Sequence, residues 1–388
     1  MDFALTSEQE AIRDAIARIC SGFGDDYWLE KDRTGGFPFE FYDAIAKDGW
    51  LGICIPEEYG GSGLGITEAV IMMQAIAESG AGMAGASAVH MNIFGLNPVV
   101  VFANPEQKQR MLPPIAQGRA KACFAVTEPN TGLNTTQLKT RAQRHADRYI
   151  VNGQKVWIST AQVADKMLLL ARTTALEEVT KPSDGLSLFY TDLDRSAVVV
   201  REIEKMGRKA VDSNELFIEG LEVPADDLIG EEGQGFKCIL HGMNPERMLI
   251  AAEAVGLGYA AVKRAAAYAK ERIVFGRPIG QNQSVQHPLA KSWMELEAAR
   301  MMIMHAAWQY DNDLECGAAA NAAKYLAAEA GREACQTAVM THGGFGYAKE
   351  YHVERYLREA MIPWLAPISP NLILCYIAER VLGLPKSY

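Results

Sequence analysis

The sequence lacks paired cysteines and clustered histidines. Its seven cysteines are scattered along the chain without a C-x-x-C pair, and their number is odd. Such thiols usually behave as small buried hydrophobic groups in a reducing compartment. The pattern indicates neither a disulfide framework nor a zinc site, and we expect no bound metal.

The chain also lacks an excess of positive charge. It carries 38 Lys and Arg against 48 Asp and Glu, a formal net charge of −10. Because this charge would on average repel a phosphate backbone, we expect no nucleic-acid partner. With 49% hydrophobic and 22% charged residues over 388 positions, the composition is typical of a packed globular protein of two or three domains.

A leader and a long apolar run are missing as well. The N-terminus, MDFALTSEQEAIRDAI, is acidic and amphipathic, so we predict no secretory signal and a cytoplasmic location. Residues 79–105 lack Asp, Glu, Lys and Arg, but they include His90, Asn92 and two prolines. This segment is therefore predicted to be a buried helix with its connection, and we expect no membrane span.

The apolar spacing changes twice along the chain. It is helical up to about residue 120, has the short period of strands from there to about 228, and is helical again in long Ala- and Met-rich stretches. We predict an α+β protein with an N-terminal helical domain (1–120), a middle β-barrel or sandwich domain of roughly seven strands (121–228) and a C-terminal helical bundle (229–388).

Local signals refine this outline. Asn152-Gly153 lies between two apolar runs and predicts a type I′ hairpin turn, since both turn positions need positive φ. Asn104-Pro105 predicts a helix start. Gly80, Gly82 and Gly85 match G-x-G-x-x-G, but they follow a helical pattern instead of a strand, so we do not assign a dinucleotide fold to them.

Four linked motifs carry more information. They are Cys123-Phe-Ala-Val-Thr-Glu-Pro129 with Gly132, Val151-Asn-Gly-Gln-Lys-Val-Trp-Ile-Ser159, Arg272-Ile-Val-Phe-Gly276 with Gln283, and His342-Gly-Gly-Phe-Gly-Tyr347. In order and spacing the chain resembles the acyl-CoA dehydrogenase family over essentially its whole length. The resemblance implies an FAD-dependent oxidoreductase that acts on acyl-CoA thioesters.

The resemblance also implies an FAD site assembled from two subunits. One set of residues would contact the flavin ring, and a second set would contact the FAD of the neighbouring subunit. The residues implied for the ring are Phe124, Val126, Thr127, Gly132, Trp157 and Ser159; those implied elsewhere on the cofactor are Arg272, Phe275, Gln283, Gly343 and Gly344. A guanidinium suits phosphate oxygens, an indole suits a flat ring, and glycines permit close backbone approach.

The sequence departs from the family at two positions. Where many members carry the catalytic carboxylate near the C-terminus, this chain has Pro367, which cannot accept a proton. Met340 replaces a glutamine that commonly contacts the cofactor, so one FAD contact is in doubt.

Glu246 is our candidate catalytic base. The long-chain and isovaleryl-type members place the base on the corresponding helix, and the resemblance assigns Asn244 and Arg247 to substrate binding. Two structural readings compete. Asn244 could cap a helix with Pro245 at its first position and Glu246 complementing the dipole, or a helix beginning near Gln234 could be kinked at Pro245. Glu253, at i+7, is expected about 10 Å deeper on the same face.

The expected reaction is conversion of an acyl-CoA, of medium, long or branched chain, to the trans-2-enoyl-CoA. The resemblance implies an electron-transfer flavoprotein as acceptor, a homo-oligomer (dimer or tetramer) and a place in fatty-acid β-oxidation chemistry. Two alternatives stay open: a flavin monooxygenase or acyl-CoA oxidase on the same fold, and a non-catalytic CoA-binding or assembly protein.

Overall fold

The computed structural model describes residues 4–387, and its first part is helical. The first helix shows how sequence produces these elements. The Thr6 side chain accepts a hydrogen bond from the Gln9 backbone amide, and the Gln9 side chain accepts one from the Thr6 backbone amide, which forms a capping box. Ile12 and Ile16 on one face of the helix are buried. The helices are α1 (Ser7–Cys20), α2 (Asp25–Thr34), α3 (Phe39–Lys47), α4 (Ile66–Ile76), α5 (Gly82–His90), α6 (Asn97–Phe102) and α7 (Pro105–Ala116).

Two local expectations in this part are confirmed. Asn104 caps α7 in a second capping box, with Pro105 at the first helical position. The uncharged segment forms a buried helix, since every residue of α5 is buried. Gly80 and Gly82 adopt positive φ at a π-helical turn before α5, which is a helix junction and not a strand-to-helix phosphate loop.

The middle of the chain forms a sheet of eight strands. They are β1 (Ala122–Ala125), β2 (Arg141–His145), β3 (Arg148–Ser159), β4 (Lys166–Arg172), β5 (Leu186–Asp192), β6 (Val198–Glu202), β7 (Ser213–Pro224) and β8 (Leu228–Ile229). The strand order is β6-β7-β3-β2-β4-β5-β8, and β1 pairs in parallel with β4. Buried side chains such as Val151, Leu169 and Leu216 form a core on one face of this sheet.

The predicted turn at Asn152-Gly153 is wrong. Both residues lie inside the 12-residue strand β3, whose hairpin with β2 turns at His145 to Arg148 instead. The register with β7 shifts between Val151 and Gly153, so the glycine marks a bulge. At this bulge the position where a Gly153 Cβ would stand is 2.4 Å from the Thr140 hydroxyl oxygen, which explains the glycine by close approach.

The last part is a helical bundle with a small hairpin. Its elements are α8 (Gly235–Glu271), β9 (Ile273–Val274), β10 (Arg277–Pro278), α9 (Gln283–Asp311), α10 (Gly317–His342), α11 (Val353–Glu359), α12 (Met361–Leu365) and α13 (Pro370–Tyr376). Helix α8 begins after Gln234 and includes Pro245, so the reading of Asn244 as an N-cap is wrong, and the alternative of a helix beginning near Gln234 is confirmed.

One apolar core joins the two helical parts. Buried residues of α4 and α5 pack with those of α8, α9 and α10, which holds α5 directly against the middle of α8. By length and composition the stretch Val353–Val381 could cross a membrane, but residues 366–369 interrupt its helices. One such stretch is weak evidence for a membrane span.

Candidate functional site

Glu246 lies at the buried contact between α8 and α5. Glu246 is only 6% exposed. Its Oε2 atom accepts a hydrogen bond from Nε2 of His90, which lies at the end of α5. Within residues 4–387, Oε1 of Glu246 has no hydrogen-bond partner. One oxygen is therefore held, while the other is available to accept a proton.

The other nitrogen of His90 bonds a second carboxylate. Nδ1 of His90 contacts Oε1 of Glu253, which is fully buried, and Oε2 of Glu253 has no partner among the described residues. Glu246 and Glu253 are two helical turns apart on one face of α8. Glu253 is thus not a separate, deeper position: both carboxylates bond the same imidazole, an arrangement that we call the Glu-His-Glu triad (Glu246, His90 and Glu253).

The triad shifts the protonation of its members. Burial lowers the pKa of His90, but the Glu246 and Glu253 carboxylates outweigh this effect and raise that pKa to about 10. Burial raises the pKa of Glu253, although His90 opposes the shift. This shift favours the imidazolium form of His90, whose positive charge offsets negative charge between the two helices.

Aromatic rings connect the triad to the middle domain. The His90 ring lies 4.9 Å from the Phe94 ring, centroid to centroid, and the Phe94 ring lies 5.0 Å from that of Phe124 on β1. Phe124 is the first of the residues implied for the flavin ring. The candidate base and the candidate flavin strand therefore share one packed neighbourhood.

The end of β1 meets the exposed part of β3. The Val156 backbone amide donates to the Thr127 carbonyl at 2.9 Å, so Thr127 lies beside Trp157. Val126 is buried just before it. Trp157 is 59% exposed and has a φ of 62°, a left-handed conformation that is rare for a bulky residue. Its bulge directs a large aromatic face away from the chain's own core, which fits a flat ring stacked on it.

Ser159 is fixed by Arg208, a residue outside the four motifs. The Arg208 guanidinium donates to the Ser159 hydroxyl at 3.0 Å and to the Ser87 hydroxyl on α5 at 3.2 Å. Ser159 lies at the last position of β3. Arg208 therefore connects the end of β3 to α5, the helix that carries His90.

Gly132 lies in the loop after β1. A Cβ at this position would meet no atom within 4 Å, and the residue is exposed. Packing within the chain does not require a glycine here, whereas close approach of a ligand would.

A second group of candidates lines a cavity of about 460 Å³ on the C-terminal bundle. Arg272, Gly343 and Gly344 all border it, and so does Met340, which is 74% exposed. The Arg272 guanidinium lies 5.5 Å from the Phe345 ring centroid. Added Cβ atoms at Gly343 and Gly344 would meet nothing within 4 Å, so this chain leaves room there for a bound group. The middle-domain candidates do not border this cavity.

Phe275 and Gln283 do not border it either. Phe275 forms the β9–β10 turn with Gly276, both at positive φ, and its ring is completely exposed. Gln283 is exposed at the start of α9. Within residues 4–387, no contact accounts for the position of either side chain.

The candidate substrate residues lie together on α8. The Arg247 guanidinium donates to the Asn244 side-chain oxygen at 3.1 Å, and its Nε is buried without a partner. Arg247 borders a second cavity, of about 270 Å³, with Ile368 and Tyr376 on its wall. An unsatisfied guanidinium nitrogen at a cavity suits an oxygen-rich ligand.

The segment around Pro367 is held by a buried lysine. Lys324 on α10 donates to the Ile368 carbonyl at 2.7 Å, and burial lowers the pKa of Lys324 to about 8. Ser369 caps α13 through its hydroxyl. The backbone that carries the base in many relatives is thus ordered here without a carboxylate of its own. Within residues 4–387, no three His, Cys, Asp or Glu side chains are grouped as metal ligands.

Three family models match the chain in order. They are the N-terminal domain of acyl-CoA dehydrogenase over residues 6–119, the middle domain over 123–221 and the C-terminal domain over 233–365. The chain therefore belongs to the acyl-CoA dehydrogenase family. The expected fold class and enzyme class, an oxidoreductase, are confirmed.

Similar curated proteins cover most of the chain. Acyl-CoA dehydrogenase FadE12 of Mycobacterium tuberculosis is 37% identical over 100% of this chain and 99% of its own length. Subunit CarC of the caffeyl-CoA reductase-Etf complex of Acetobacterium woodii is 34% identical over 86% of this chain and 87% of its own length.

Solved structures agree in fold, and one of them contains FAD. A glutaryl-coenzyme A dehydrogenase in complex with glutaryl-CoA superposes with a TM-score of 0.94 at 29% identity, covering 100% of this chain and 98% of that one. The prolyl acyl carrier protein oxidase AnaB gives 0.90 at 29%, covering 98% and 100%. The FAD complex of PigA gives 0.92 at 25%, covering 99% and 100%. The cofactor of this chain is FAD, and the exposed Trp157 and the open glycines fit such a group.

Proposed function

We propose that this protein catalyses FAD-dependent α,β-dehydrogenation of an acyl-CoA thioester to the trans-2-enoyl-CoA, with Glu246 as the catalytic base. The carrying observation is the geometry of Glu246, which is buried, held at Oε2 by His90 and unpartnered at Oε1. A medium, long or branched acyl chain is the proposed substrate class. The domain limits 1–120, 121–228 and 229–388 are part of the same proposal.

In the proposed step, Oε1 of Glu246 accepts the α-proton while the double bond forms between the α- and β-carbons. FAD, when bound, supplies the acceptor for the β-hydrogen and its electron pair. Because the α-proton is weakly acidic, the developing enolate oxygen needs hydrogen-bond donors. Pro367 has no amide hydrogen, so the N–H of Ile368 is the proposed backbone donor on this segment.

Asn244 and Arg247 are the proposed substrate contacts. Their mutual hydrogen bond and the unpartnered Nε of Arg247 support a role beside the acyl-CoA. Their position on α8, next to Glu246 in sequence, would let substrate binding and proton removal occur on one helix.

FAD binding is proposed to involve two subunits. Phe124, Val126, Thr127, Gly132, Trp157 and Ser159 would contact the ring in one subunit, and Arg272, Phe275, Gln283, Gly343 and Gly344 would serve the cofactor of the neighbour. The separation of the Arg272 cavity from the Trp157 strand supports this division. A homo-oligomer, dimer or tetramer, follows from it.

An electron-transfer flavoprotein is the proposed acceptor, in a cytoplasmic pathway of the β-oxidation type. A relative that is a subunit of a reductase-Etf complex supports the choice of acceptor. Such an encounter would be weak and transient.

A panel of acyl-CoAs tests the function. Purified yellow protein is mixed without oxygen with straight and β-methyl-branched acyl-CoAs, and bleaching of the flavin absorbance is followed. We expect reduction by at least one thioester and an enoyl-CoA product by mass spectrometry. If no acyl-CoA in the panel reduces the flavin, the proposed function is wrong.

The oxidase alternative has one observation in its favour, namely the similarity to AnaB, a prolyl acyl carrier protein oxidase. The same reduced protein is mixed in parallel with oxygen and with an electron-transfer flavoprotein. Faster reoxidation by the flavoprotein supports a dehydrogenase. Equal or faster reoxidation by oxygen, with stoichiometric peroxide, would replace that assignment with an oxidase.

A further inference from the structure

The Glu-His-Glu triad presents a charge problem that a single catalytic carboxylate does not explain. Two buried carboxylates on one face of α8 would repel each other if both were ionised, and one would then bind a proton. If that proton were on Glu246, the base would be inactive before substrate arrived. Some group must favour the ionised form of Glu246.

His90 is the group in contact with both carboxylates. Its two ring nitrogens are used completely, one on each carboxylate, and the ring is 7% exposed. An imidazolium that donates from both nitrogens satisfies two anions at once, which neutral imidazole cannot do. Only one negative charge then remains on the three groups.

We propose that His90 is a positioning residue that holds Glu246 ionised and oriented, with Glu253 keeping the imidazole in place from the opposite side. The inference rests on the proposed role of Glu246 as base. It adds a function for a histidine and a glutamate that base catalysis alone does not require. On proton removal from substrate, Glu246 becomes neutral and the net charge of the triad rises from −1 to 0.

Other charges also act on the triad. Arg247 on α8 and Lys324 on α10 interact electrostatically with Glu246, and Arg208, between β6 and β7, interacts with Glu253. These three cations favour ionised carboxylates as well. None of them forms a hydrogen bond to either carboxylate, so His90 has the strongest direct influence on the geometry.

The first test needs no substrate. Holoprotein labelled with ¹⁵N-histidine is titrated by NMR between pH 6 and pH 9, and His90 is assigned by comparison with His90→Gln. We expect both ring nitrogens of His90 to remain protonated over this range. A His90 signal that titrates near the ordinary histidine pKa would overturn the proposal, whatever the enzyme does with acyl-CoA.

The second test uses the pH profile of flavin reduction under anaerobic conditions. His90→Gln retains a hydrogen-bond donor but carries no charge, so it no longer offsets the negative charge of the two carboxylates. We expect the acid limb of the profile to move by about one pH unit towards higher pH, so that the rate falls by roughly 10-fold at pH values below the wild-type midpoint and recovers at high pH.

The matched variant is His90→Gln/Glu253→Gln. Removing the second carboxylate removes the repulsion, so the midpoint should return towards the wild-type value. If His90→Gln instead slows reduction equally at every pH and the double variant gives no rescue, His90 has only a structural role. If Glu246→Gln reduces flavin normally, the proposed function fails, while the NMR result still decides the charge state of His90.

Discussion

A buried carboxylate that removes a proton must remain ionised although water is largely excluded from it. Burial disfavours the charged form, and neighbouring cations restore it. At Glu246 the charged neighbour in direct contact is His90, which is itself balanced by Glu253. The reactivity that we propose for Glu246 would therefore be a property of three side chains on two helices.

Stability should depend on pH through the same group. The pKa of His90 is raised to about 10, so the protonated triad stabilises the folded state fully below the unfolded value near 6.5, and this stabilisation is lost as pH rises towards 10. The raised pKa of Glu253 acts in the same direction. We expect the Tm difference between wild type and His90→Gln/Glu253→Gln to decrease from pH 6.5 to pH 9.5 in scanning calorimetry. A difference that is constant or grows would contradict the charge assignment.

Single residues also show the reach of sequence analysis. Glu246 could be proposed because a known motif pattern surrounds it and Pro367 removes the other carboxylate position. His90 could not be paired with it, because the two are 156 positions apart and only helix packing joins them. The one available signal was a histidine within a stretch that has no other ionisable charge.

At the scale of elements, a side chain on β3 holds the end of β1 and the loop that follows it. Lys155 on β3 is fully buried, and its ammonium donates to the Val126 carbonyl at 3.0 Å, the Leu170 carbonyl at 2.8 Å and the Glu128 carboxylate at 3.0 Å. This one side chain connects β3 and β4 to the loop that carries Thr127. The loop therefore depends on a buried ion pair for its position.

Replacing Lys155 tests this dependence. Lys155→Met leaves the Glu128 carboxylate buried without its cation, which typically costs about 3 to 5 kcal/mol. We expect a lower Tm and loss of FAD on gel filtration. Lys166→Met, which breaks an exposed pair with Asp192 on the same sheet, is the control and should cost below about 1 kcal/mol. Equal effects of the two variants would show that the buried pair has no special importance.

The sheet also shows why local patterns fail. Asn152-Gly153 has the composition of a turn, but pairing with β2 and β7 on both sides keeps β3 continuous through it. The strand Arg141–His145 was not predicted, because its sequence RAQRH has a single apolar residue and four polar ones. The first and last residues of β2 are set by hydrogen bonds to the neighbouring strands, which the composition of a single strand does not encode. The turn that joins β2 to β3 lies at Ala146, which has a positive φ of 53°.

At the scale of the whole molecule, the two groups of FAD candidates lie on different parts of one chain. The Trp157 strand belongs to the sheet, whereas the Arg272 cavity belongs to the helical bundle. The overall order of domains could be read from the apolar periodicity. The relation between chains could not, because in the proposed two-subunit site it would depend on exposed side chains such as Phe275.

Arg272 tests the proposed division of the cofactor site. Arg272→Met removes a charged donor at the cavity, and loss of one charge-assisted hydrogen bond should weaken FAD binding by roughly 10-fold or more. The ratio of flavin to protein absorbance after gel filtration measures the loss. Arg277→Met, on the same hairpin and bonded to Asn282, is the control. Full FAD retention in Arg272→Met would remove this residue from the site.

The central claim is that Glu246 removes the α-proton, and flavin reduction in a stopped-flow instrument measures it most directly. Glu246→Gln keeps the size of the side chain but cannot accept a proton. The control is Glu297→Gln, which alters a carboxylate bonded to Tyr259 and Arg300, outside the triad. We predict that Glu246→Gln binds FAD and substrate but reduces flavin at least ~100-fold more slowly, a barrier increase of about 2.7 kcal/mol, while Glu297→Gln reduces it at the wild-type rate. Reduction of the Glu246→Gln flavin at a rate close to wild type would contradict the account.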